Sequence, residues 1–136
     1  MSVPAPGTQS THPVRTAVLA LAADIALVLL FAGLGRSSHE REATLLGLFE
    51  TAWPFIAGLA IVWISARITK RPLAVLNSGI PVWVGTVAIG LLLRFWTGGG
   101  VALPFVIVSI LTLGVFLLGW RAIVALVQRL RRAPAA

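Results

Sequence analysis

Four apolar runs, each close to twenty residues long and almost free of charge, govern what this 136-residue chain can become. A helix needs about 20 apolar residues to cross the hydrocarbon core of a bilayer. The runs cover about residues 14–35, 45–66, 79–97 and 101–121, and the links between them are short. Strands of a membrane barrel would alternate in polarity over about ten residues, which these runs do not. The expected fold class is therefore all-α: a polytopic bundle of four transmembrane helices over residues 14–128. It is flanked by a Pro-, Ser- and Thr-rich stretch at 1–13 that reads as a disordered tail and a basic tail at 129–136.

Composition supports that reading by exclusion. Only 11% of residues are charged, against about a quarter in soluble domains, too few to clothe an ordinary soluble enzyme. The formal charge of +7 would suit a nucleic-acid binder, but the bases are not gathered on a polar face, so no nucleic-acid partner is expected. Zero cysteines exclude disulfides and thiolate metal sites, and His12 and His39 are the two imidazoles. The sequence holds no nucleophile motif, no phosphate-binding glycine loop and no cluster of catalytic carboxylates; neither enzyme activity nor a metal or cofactor is expected. The first apolar run exceeds the roughly 7–15 residues of a signal-peptide core and lacks a small-residue cleavage site, so it reads as a retained helix.

Basic residues set the expected orientation. Arg15, Arg67, Lys70, Arg71, Arg121, Arg129, Arg131 and Arg132 fall on one side, and Arg36, Arg41 and Arg94 on the other. Eight against three places both termini on the cytoplasmic side. Trp53 and Trp96 fall toward the outer ends of their spans and Trp63, Trp83 and Trp120 toward the inner ends, where indoles prefer the membrane–water interface. Together with Arg121 they are expected as interface anchors, and the segment that follows, read as a helical extension of the fourth span, should bring its bases to anionic lipid headgroups. Small-residue faces leave room for a second copy or a membrane partner.

Asp24 is the residue that most needs explaining. A carboxylate at a helix centre costs about 2.5–3.5 kcal/mol on insertion scales, so it must face protein or water. Counted from the span ends, Thr86, Ser109 and Thr112 lie at its depth and are its expected hydrogen-bond partners. It reads either as a proton- or cation-coupling site or as a structural carboxyl that ties helices together through a hydroxyl. At the outer face, Arg36, His39 and Glu40 form a candidate mouth, since His39 changes charge near neutral pH. Glu50 and Arg94 sit at similar depth and are expected to form a structural ion pair. A weak internal echo pairs Ala52-Trp53-Pro54-Phe55 with Ala102-Leu103-Pro104-Phe105, which, if it were a true repeat, would give two pseudo-equivalent hairpins.

The phrases Gly35-Arg36-Ser37-Ser38-His39, Ala52-Trp53-Pro54-Phe55, Gly90-Leu91-Leu92-Leu93-Arg94 and Gly119-Trp120-Arg121, with Asp24 upstream, resemble a family of small prokaryotic integral membrane proteins. It is the family catalogued as domain of unknown function 3054. The likeness spans about residues 16–127 and implies a four-span membrane protein, with no activity, cofactor or catalytic residue to carry over. Asp24, Arg36, His39, Trp53, Pro54, Arg94 and Arg121 coincide with its motif positions. The favoured functional expectation is a small transporter or permease-like protein, proton-coupled through Asp24. The competing one is a non-transporting accessory or scaffold subunit of a membrane complex, in which the same charges only fix helix packing.

Overall fold

The computed structural model describes residues 12–37 and 44–132. Four helices account for most of them: α1 His12–Ser37, α2 Leu45–Ser65, α3 Ile80–Trp96 and α4 Leu103–Arg132. All four, the third taken together with the helical stretch from Val75 that leads into it, are long and apolar enough to cross a membrane, and no strand occurs among the described residues. Each helix packs on its sequence neighbour and α1 also packs on α4, which closes the bundle. The chain runs up and down, so the start of α1 and the end of α4 lie at the same end as the α2–α3 connector.

Local chemistry sets the helix ends. Thr44, extended at φ −102° and ψ 150°, caps α2 by accepting the Gly47 N–H on its Oγ1 at 3.0 Å. Beyond Ser65 the chain leaves the helix through Ala66 and then Arg67, which adopts the left-handed conformation at φ 54°. The connector makes a single 3-10 turn, Ile68–Lys70, and then a short π-helical stretch, Val75–Gly79, before α3. Ser78 Oγ donates to the Arg71 carbonyl at 2.5 Å and the Gly79 N–H bonds back to the Ala74 carbonyl, so the connector folds tightly under the bundle. Ile68 is buried there against α1.

Lipid tails are as apolar as leucine, so burying Leu or Val between spans gains little and close packing must hold them. Glycines provide it. A Cβ on Gly58 would stand 3.1 Å from the Thr86 carbonyl oxygen and 3.2 Å from the Gly90 nitrogen, so α2 and α3 meet almost backbone to backbone. Toward the α3–α4 turn, Phe31, Phe55 and Phe105 form an aromatic cluster with centroids 5.3–6.2 Å apart, the first two edge to face.

The expected helical extension of the fourth span is present: α4 continues beyond residue 121 through Arg132, into the segment expected as a basic tail. The prolines of the internal echo take unlike places: Pro54 is buried well inside α2, whereas Pro104 is the exposed second residue of α4. The phenylalanines after them, Phe55 and Phe105, nonetheless meet at 6.1 Å.

Candidate functional site

Asp24 lies on the inward face of α1 with Ala20, Val28 and Phe31, one to two turns apart along the same stripe. Its carboxylate is met by a guanidinium from α4. Arg121 Nη1 donates to Oδ1 at 2.8 Å and Nη2 to Oδ2 at 2.7 Å, a two-pronged pair with neither side chain exposed to any degree. Two indoles complete the shell: Trp63 Nε1 donates to Oδ2 at 3.0 Å and Trp120 Nε1 to Oδ1 at 2.8 Å. Four N–H donors thus converge on two oxygens, and Asp24 acts only as an acceptor.

Arg121 is equally satisfied. Its Nε donates to the Pro72 carbonyl at 2.9 Å, and Nη1 also donates to the Leu117 carbonyl one turn back on α4 at 3.1 Å. Four of its five N–H groups are therefore engaged. The guanidinium lies 4.6 Å from the Trp120 ring centroid, within cation–π range. Gly79 makes room for it, since a Cβ there would lie 2.7 Å from Leu118 Cδ2 and 3.4 Å from Arg121 Cδ. The centre thus joins α1, α2, α4 and the connector through charge-assisted bonds, the strongest class available to such groups.

This arrangement corrects several expectations. Asp24 makes no hydrogen bond to Thr86, Ser109 or Thr112: Ser109 Oγ donates to Phe105 at 2.7 Å, and Thr86 Oγ1 is buried with no hydrogen-bond partner. The centre lies instead at the level of Trp63, two residues before the end of α2, and of Pro72 in the connector. Arg121, Trp63 and Trp120, expected as interface anchors, turn inward because a buried carboxylate offers them acceptors that lipid does not. Trp83 is half-buried and donates Nε1 to the Ile110 carbonyl at 2.8 Å across a surface that Gly114 leaves open. Trp53 is half-buried and Trp96 exposed.

Glu50 and Arg94 do not form the expected ion pair. Glu50 is exposed, while Arg94 folds back over the α3–α4 turn, its Nε donating to the Gly100 carbonyl at 2.8 Å and its guanidinium 4.3 Å from the Phe105 centroid. Gly98 at φ 82° and Gly100 at φ 78° present that carbonyl, so the turn supplies Arg94 with an acceptor within six residues. His39 and Glu40 lie outside the described residues, and of Arg36 only the backbone, in the last turn of α1, is described. Among the described residues no group of three or more His, Asp or Glu could hold a metal ion.

The sequence did carry a signal for Arg121. The stretch from Val101 to Leu126 is apolar on both sides of it, and the expected helical extension already runs past it; an arginine so placed has reason to turn inward and not only to anchor at the interface.

Fold and site together define a class, a multi-pass all-α membrane protein whose helices are joined by a buried carboxylate–guanidinium pair. The chain belongs to the family described as "Protein of unknown function (DUF3054)", which it matches over residues 21–124, from three residues before Asp24 to three beyond Arg121. No curated protein and no solved structure matches it.

Proposed function

We propose that the chain is a non-transporting structural or accessory protein of a membrane, in which the Asp24–Arg121 centre locks three helices and the connector together. The observation that carries this reading is saturation: Asp24 is wholly buried and its two oxygens already accept four donors. A coupling carboxylate needs water or a cation within reach and an acceptor position left over for it. A proton-coupled transporter, with Arg36, His39 and Glu40 at its mouth, would use the intramembrane charge differently. Here that charge has its counter-ion in place. The reading is also non-enzymatic.

The same reading places the protein in a prokaryotic cell membrane with both termini in the cytoplasm. With Arg121 set aside as buried, the eight basic residues counted at the connector end become seven, against Arg36, Arg41 and Arg94 toward the other end. That asymmetry still favours a cytoplasmic connector.

The test is reconstitution into vesicles that trap a pH-sensitive dye. Imposed pH and potential gradients should decay at the protein-free rate. In parallel, Leu27→Cys in this cysteine-free chain should resist a membrane-impermeant maleimide. Proton flux that depends on the protein and disappears in a folded Asp24→Asn variant would establish transport instead.

A further inference from the structure

Between α1 and α2, close to the connector, lies an open groove of about 360 Å3, a volume in the range of small-ligand sites. Leu21 and Ile25 of α1 and Ile56 and Ala60 of α2 line it, and Arg67 and Thr69 stand at its connector end. The groove is therefore an amphiphile in negative: a long apolar trough with one cationic, hydroxyl-bearing end. Arg67, Lys70 and Arg71 are all exposed and make no ion pair among the described residues, so their charge is available to an outside anion. Arg67 also holds the left-handed conformation, where a helix usually ends on glycine. The chain thus keeps a long cationic side chain at the groove mouth where glycine would relieve the backbone.

We propose that this groove binds an anionic phospholipid, one acyl chain lying along Leu21, Ile25, Ile56 and Ala60 and the headgroup phosphate held at Arg67 and Thr69. Lys70 and Arg71 add positive potential beside it. Charge complementarity selects the occupant: a zwitterionic lipid fills the trough equally well, but its own ammonium offsets the attraction of the three cations for its phosphate. A cation near an anionic lipid surface strengthens association by about fivefold. The groove borders the Asp24–Arg121 centre, since Trp63, whose Nε1 donates to Asp24, also lines it, but it uses neither Asp24 nor Arg121 and stands whether or not the protein transports.

The experiment is native mass spectrometry of the full chain in detergent, titrated with phosphatidylglycerol or with phosphatidylcholine of the same acyl chains. Phosphatidylglycerol should be retained as a one-to-one adduct with at least about a fivefold preference. Arg67→Gly keeps the left-handed backbone and should leave helix content and melting temperature unchanged or higher, while lowering that preference about fivefold. Ala60→Trp, at an exposed position, should fill the trough and abolish the adduct in a folded protein. Equal retention of the two lipids by the unaltered protein would overturn the proposal. So would a preference that survives Ala60→Trp, which would put the lipid on the surface cations alone, or an Arg67→Gly chain that fails to fold, which would make Arg67 a structural residue.

Discussion

The guanidinium of Arg121 lies flat against the carboxylate of Asp24, nitrogen to oxygen at 2.8 and 2.7 Å, although 97 residues separate them and neither touches solvent. Breaking such a pair costs far more than replacing it, because the survivor is left charged and buried. Asp24→Asn and Arg121→Gln should each destabilise the protein by about 3–5 kcal/mol. The double variant Asp24→Leu with Arg121→Met strands no charge and should recover part of that loss, the remainder reflecting the Trp63 and Trp120 N–H groups left without an acceptor. Unfolding in detergent, followed by circular dichroism, checks the comparison.

The indoles allow a finer measurement. Trp63→Phe and Trp120→Phe each keep a ring and remove one donor from the carboxylate, so each should cost about 1.5–3 kcal/mol, the range for hydrogen bonds to charged groups. Trp120→Phe also keeps an aromatic face beneath Arg121 and should be the milder of the two. Near-ultraviolet circular dichroism and thermal unfolding report both.

Helix contact predicts a contrast between two glycines. A Cβ on Gly90 would stand 2.4 Å from Phe55 Cδ1, within the aromatic cluster, whereas one on Gly119 meets nothing within 4 Å. Gly90→Ala should cost about 1–3 kcal/mol by overpacking, and Gly119→Ala should be neutral or slightly stabilising. Melting temperatures of the purified variants decide it.

The α3–α4 turn carries its own test. Gly98 sits at φ 82°, where a Cβ is strained, so Gly98→Ala should destabilise the turn by about 1–2 kcal/mol although open space surrounds it. Gly99→Ala meets Arg94 Cγ at 2.8 Å and should displace the arginine from the Gly100 carbonyl. Limited proteolysis at this turn should accelerate in both.

The apolar runs disclosed the number and placement of the helices because membrane-spanning length is a property of contiguous sequence. Asp24 stood out for a related reason: a charge in such a run is costly wherever it points. Its partner was harder to find. Arg121 looked like an interface anchor at the end of a span, with the helix running on beyond it, and only its pairing with Asp24 turns its side chain inward. Glu50 and Arg94 illustrate the opposite case. Similar depth suggested a pair, but among the described residues no ion pair joins them, and Arg94 Nε donates to the Gly100 carbonyl across the glycine turn.

By itself, then, the sequence determined the solvent of this protein, its four helices and the one acid that had to be answered inside them, since each follows from local transfer energies. Tertiary structure decided what answers that acid. Trp63, Pro72, Trp120 and Arg121 come from three separate stretches of chain, and only the closing of α4 onto α1 over a folded connector brings their donors and acceptor together. Hydrogen-bond geometry between distant residues has no period along the chain, which is why depth and spacing pointed instead to Thr86, Ser109 and Thr112.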